Sequence, residues 1–149
     1  MSNENAVFDC VRELYSLHEE RVYTYKLLEE GHKIYLSTAP NYDFARFRRL
    51  VHDVTAEFKR ISDSIIAIEK KLRLNADSAA IADIIHNLQE DEKLKLKLTA
   101  KMQLAKQEFV DCKSDAKWEE VNAIKHQLNT VVENINGHLS DIRNEMDSY

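Results

Sequence analysis

An all-α fold, long antiparallel helical hairpins closing as a four-helix bundle or an extended coiled coil, is predicted by three features of this 149-residue chain. Between Phe44 and Leu72 apolar residues recur in strict steps of three and four: Phe44, Phe47, Val51, Val54, Phe58, Ile61, Ile65, Ile68 and Leu72. Such a stripe needs a partner helix along its whole length. Two Gly and one Pro leave few turns, and 32% charged with 44% apolar residues is the composition of long helices rather than of a sheet protein. A chain of this length suits one domain, 1–149, with a core that needs no metal or disulfide.

The first helix is expected over about 5–36, with Val7, Val11, Leu14, His18, Val22, Tyr25, Leu28, His32 and Tyr35 as its stripe. Pro40 removes a donor and forces Ala39 out of helical geometry, while Asp43 can cap the second helix and Tyr42 can staple onto Phe47. So short a connection makes the first two helices antiparallel neighbours, each about 45 Å long at 1.5 Å per residue. Asp77 or Ser78 caps a third helix carrying Ile81, Ile84, Ile85 and Leu88. Its stripe is expected to shift register across the acidic turn 89–92 before Leu94, Leu98, Met102, Ala105 and Phe109 resume it. The join at 112–115 has neither Gly nor Pro, so either Ser114 or Asp115 caps a fourth helix or the chain runs on. Trp118, Val121, Ile124, Leu128, Val131, Ile135 and Ile142 form its stripe, and Asn136-Gly137 is expected to end it. The last dozen residues then fray or form a short extra helix.

Gly31 inside a helix costs about 1 kcal/mol relative to Ala, so a close approach is expected there, against the ring of Phe44 or Phe47. Leu27, Leu36, Leu50, Ile66 and Leu96 lie beside their main stripes and serve either a thicker core or a second surface.

The net charge is −5, with twelve bases against twelve acids up to residue 75 and nine against fourteen beyond it. No bulk basic field supports direct nucleic-acid binding, which is left to a local basic patch. Cys10 and Cys112 stand far apart with no metal-ligand spacing, so both are expected to be reduced packing residues. The first twenty residues hold too many charges for a secretory signal, and no run approaches the roughly 18 apolar residues of a membrane span. The expected location is nuclear and/or cytoplasmic, soluble and away from membranes.

Candidate chemistry is sparse. His18 and His32 are about 21 Å apart by helical rise, too far to share a metal. His52 and Asp53 are adjacent, hence about 100° apart on a helix, and no nucleophile accompanies them. Glu29 and His32 have the spacing of a di-metal motif, for which Asp83 and His86 are the one complement. Neither Gly31 nor any other segment forms a phosphate loop. The expectation is therefore no enzyme activity, no cofactor, no metal and no catalytic residue. Two basic clusters, Arg46, Arg48 and Arg49, and Lys93, Lys97 and Lys101, are solvated faces, or surfaces that contact phosphate or an acidic partner.

One set of residues resembles a known family. Val22, Tyr25, Glu29-Glu30-Gly31-His32, Tyr35-Leu36, Pro40, Tyr42-Asp43-Phe44, Phe47-Arg48, Leu50-Val51-His52, Val54-Thr55, Phe58, Ile61 and Ser62 are similar to the required-for-excision, B-type, DNA-repair domain family. Leu88-Gln89, Glu92-Lys93-Leu94, Leu98-Thr99 and Gln103-Leu104-Ala105 resemble its later part. The likeness covers about 10–107, leaving 108–149 as a C-terminal helical extension. It implies a small helical accessory or scaffold protein of DNA excision repair that brings no catalytic motif and works through protein partners, with homo-oligomers also open. Tyr35, Tyr42, Arg46, Arg48 and Arg49, around one end of the first hairpin, are the candidate partner contacts. The heptads alone equally suit a coiled-coil subunit of a cytoplasmic assembly, such as a trafficking or cytoskeletal complex.

Overall fold

Apolar stripes at helical spacing become four helices in this computed structural model, which describes residues 3–148: α1 (Asn3–Ser37), α2 (Phe44–Arg73), α3 (Ala79–Cys112) and α4 (Asp115–Asp147). A 3₁₀ turn, Ala76–Ser78, joins α2 to α3, and no strand occurs among the described residues.

The start of α2 follows the sequence: the Asp43 carboxylate accepts from the Arg46 N–H at 3.3 Å, and Thr38 Oγ1 accepts from the Asp43 N–H at 2.9 Å. Tyr42 and Phe47 pack differently from the expected staple. Each stacks on Tyr35 from α1, at 4.8 and 4.6 Å between ring centroids. Before α3, Asp77 falls inside the 3₁₀ turn, and Ser78 occupies the cap position without capping. Its hydroxyl instead donates to the Leu72 carbonyl at 2.6 Å, closing the turn behind it. At the last junction Lys113 takes the left-handed conformation (φ 49°) that usually falls to glycine, and its N–H closes the end of α3 on Phe109. Ser114 then caps α4 by accepting from the Lys117 N–H at 3.2 Å.

Side-chain contacts set the direction of the helices. Tyr35 meets Phe47, Tyr25 meets Phe58 and Arg21 meets Ser62, so α1 and α2 run in opposite directions. Phe109 against Trp118 and Asp91 against His138 give the same sense for α3 and α4. The Tyr15 hydroxyl reaches the Leu139 carbonyl at 2.7 Å, bringing α4 against the first half of α1.

Buried apolar side chains fall into three clusters. The largest draws on all four helices at the end holding both termini, with Leu14, Ile61, Ile85 and Ile142 among its members. Towards the interhelical turns it divides into Leu28, Val54 and Phe58 between α1 and α2, and Met102, Ala105, Val121 and Ile124 between α3 and α4.

Four further expectations change. The α2 stripe is buried only from Val54 onward, since Phe44 and Val51 are exposed where α2 emerges from the bundle. Gly31 faces Leu50 rather than Phe44 or Phe47: a Cβ there would sit 1.8 Å from Leu50 Cδ2. Along α3 the helix continues unbroken and its buried stripe changes register after Glu92, as expected, but Gln89 and Glu92 are themselves buried seam residues rather than an exposed acidic turn, and Leu98, not the exposed Leu94, resumes the stripe. Asn136-Gly137 does not end α4, which continues to Asp147 because Leu139, Ile142 and Met146 extend its buried stripe. Gly137 has negative φ and nothing within 4 Å of an added Cβ, so it is an ordinary helical position on an open face.

Candidate partner interface

The five candidate contacts lie at the turn between α1 and α2, in two different roles. Tyr35 is buried, sandwiched between Tyr42 and Phe47, with His32 5.5 Å from the Phe47 ring. It supports the surface from below instead of offering its own face. Tyr42 is half-exposed, and its hydroxyl donates to Asp111 at 2.5 Å, tying the turn to the end of α3. That hydrogen bond pushes the phenol up to about 12, so it stays protonated over any physiological range. Arg46, Arg48 and Arg49 are exposed on the first turns of α2. At about 100° per residue Arg46 and Arg49 lie roughly 60° apart, while Arg48 is roughly 160° from Arg46, so the three form a collar around the helix. None has a carboxylate within 4 Å among the described residues.

In the second basic cluster Lys93 pairs with Glu90 at 3.1 Å, Lys97 and Lys101 are exposed with no ion pair among the described residues, and the intervening Lys95 lies 4.0 Å above the Tyr25 ring.

Sequence reasoning missed the main polar feature, a buried layer between the shared core and the two smaller clusters. Arg21 is 3% exposed and Glu92 6%. Arg21 donates to Gln89 Oε1 at 2.9 Å and to Ser62 Oγ at 3.2 Å, and its other nitrogen lies 3.7 Å from Glu92. His18 Nδ1 approaches the same carboxylate at 3.9 Å. Burial pushes Glu92 up, against the pull of Arg21 and Lys95, and pushes His18 down, helped by Arg21. The available signal was spacing: Leu14, Arg21, Leu28 and Tyr35 are seven apart, as are Ile85 and Glu92, so both charges sit at seam positions.

The alternative chemical sites do not assemble. His32 lies beside Phe47 and Asp83 beside Arg73, separated by about 39 Å of α2, so Glu29, His32, Asp83 and His86 share no centre. No group of three metal-ligating side chains occurs among the described residues. His52 and Asp53 lie 3.4 Å apart on an exposed face. Cys10 is buried, Cys112 is exposed, and both are free. Among the described residues no helix is long and apolar enough to cross a membrane.

His32 gives the site a measurable acid sensitivity. Burial, aided by Lys106 and opposed by a hydrogen bond to the Gln103 backbone, lowers its pKa from 6.5 to about 4. Between those values the unfolded chain holds a proton that the folded chain lacks. The contribution of neutral His32 is therefore complete above pH 6.5 and is lost as pH falls towards 4. His18 acts in the same direction, and Glu92, raised by burial, acts in the opposite one. Urea unfolding of the wild type and His32→Asn across pH 4–8 isolates the His32 part. The difference in unfolding free energy should be constant above pH 6.5 and shrink below it; two parallel profiles would refute a buried neutral imidazole.

Comparison with known proteins agrees with the resemblance. A family model described as DNA repair REX1-B matches residues 9–106. A bovine required for excision 1-B domain-containing protein is 31% identical over 140 residues, covering 94% of this chain and 77% of the relative. Its mouse counterpart is 28% identical over 138 residues, covering 93% and 80%. Both alignments are longer than the family match and so extend past it. No solved structure matches significantly.

Proposed function

The chain belongs to the DNA repair REX1-B family, and from that membership we propose a non-enzymatic accessory protein of excision repair that presents helix faces to repair factors. The observation that carries this reading is the arginine collar: three exposed, unpaired guanidinium groups beside a phenol-lined turn held in place by Tyr35 and Asp111. Unpaired arginines on a rigid aromatic support suit an acidic protein segment, because the fixed fork of donors engages carboxylates in pairs. The acidic average of the chain makes a nucleic-acid duplex the poorer fit.

The test is complementation. Cells lacking the protein should lose survival after ultraviolet or alkylating damage, and the wild-type chain should restore it. A triple Arg46→Glu, Arg48→Glu, Arg49→Glu variant should fail to restore it. Acidic residues suit a helix N-terminus, so the variant should keep the wild-type circular dichroism and urea midpoint. Normal survival without the protein would refute the repair role, whereas full rescue by the variant would refute the collar as its surface.

A further inference from the structure

We propose that the outer face of the α1–α2 pair is a docking groove for a basic amphipathic helix of a partner protein. Two hollows lie along this face, of about 720 and 260 Å³, and they share Leu27 and Leu50 in their linings. The floor is apolar and open to solvent: Tyr23 is 62% exposed, Leu27 42% and Ile34 45%. Those three recur on α1 in steps of four and seven, a second stripe distinct from the one that enters the core. Gly31 makes the floor continuous, since Leu50 of α2 lies across it in space that any side chain would fill.

Charge identifies the occupant. Glu19, Glu20, Asp53 and Glu57 rim the larger hollow, and no Lys or Arg lines it. Arg60 lies beside this rim and pairs with both Glu20 and Glu57, and His52 lies 3.4 Å from Asp53, while Glu19 has no ion pair within 4 Å. The smaller hollow ends at Arg46, beside Asp43 and Glu30. From Ser16 to Ile34 the groove spans about 27 Å of helix, about five turns. A helix of about 18 residues with one leucine-like stripe would lie between α1 and α2 as a third helix, its lysines or arginines over the Glu19–Asp53 stretch. A second copy of this chain is disfavoured, because a two-fold pairing through the groove sets the same acidic rims against each other. Nucleic acid is repelled by the same carboxylates. The proposal is independent of the repair reading.

The experiment uses the isotope-labelled full chain and two synthetic 18-residue helical peptides with identical leucine stripes, one with lysine at its polar positions and one with glutamate. The lysine peptide should bind, shifting the resonances of Leu27, Ile34 and Leu50, and the glutamate peptide should bind at least tenfold more weakly. Glu19→Lys with Asp53→Lys should weaken the lysine peptide at least tenfold without changing the urea midpoint, as both side chains are exposed. Glu119→Lys with Asp141→Lys on α4 changes the net charge equally and should leave affinity within twofold. The proposal is overturned by no binding of the lysine peptide, by shifts confined to other faces, by equal losses in the two charge-reversal variants, or by self-association of the chain through this face.

Discussion

Replacing Arg21 by methionine should destabilise the chain by about 3–5 kcal/mol, the cost of leaving a buried carboxylate without its cation. Methionine fills most of the volume but leaves Glu92 facing a His18 that burial keeps neutral and a Lys95 whose charge burial disfavours. Gln89 and Ser62 also lose the donor they share. The single variant should bring a pH dependence of known sign. Glu92, already raised by burial, rises further without Arg21, so it is protonated on folding over a wider range. Stability of the variant should therefore decline as pH rises from 4.5 through the folded pKa. Combining Arg21→Met with Glu92→Met should recover most of the loss, since both charges then leave the core together. Urea titrations of the wild type, both single variants and the double variant measure the coupling. A loss below about 1 kcal/mol in Arg21→Met would mean that the layer is hydrated and its charges screened, as at a surface.

This layer also marks how far the sequence can be read. The Asp43 cap and the end of the α2 stripe at Leu72 were legible because each rests on local chemistry: a short side chain reaching a free N–H, or a stripe running out. The break between α3 and α4 was only one of two readings, because it is made by Lys113 in a left-handed conformation that nothing in a lysine announces. The buried charge in α3 was not legible, because an acid at a seam position reads as an exposed turn until its opposite charge is known. Arg21 and Glu92 lie in different helices, and only the fold brings them together. The candidate site divides in the same way. Exposure of the arginines follows from their place outside the α2 stripe and burial of Tyr35 from its place on the α1 stripe, whereas the stacking of Tyr42 on Tyr35 from beyond Pro40 depends on the fold. Gly31 announced a close approach, but the identity of its neighbour, Leu50, depended on the register of α1 against α2.

At the other end of the molecule two substitutions five residues apart should act with opposite signs. Ile142 is fully buried in the shared core, so Ile142→Ala should cost about 2–5 kcal/mol through lost burial and the cavity it leaves. Gly137→Ala should instead stabilise by about 0.5–1 kcal/mol, because φ is already helical, the added methyl meets nothing within 4 Å, and the unfolded chain loses freedom. If Asn136-Gly137 terminated α4 in the left-handed conformation, alanine would destabilise there, and Ile142, beyond the cap, would be nearly neutral. Denaturant midpoints for the two variants therefore distinguish a continuous α4 from a capped one. The answer bears on more than the last turn. Ile142 shares its cluster with Leu14, Ile61 and Ile85, so the C-terminal stretch of α4 helps hold α1 and α2 in the register that sets Leu50 over Gly31.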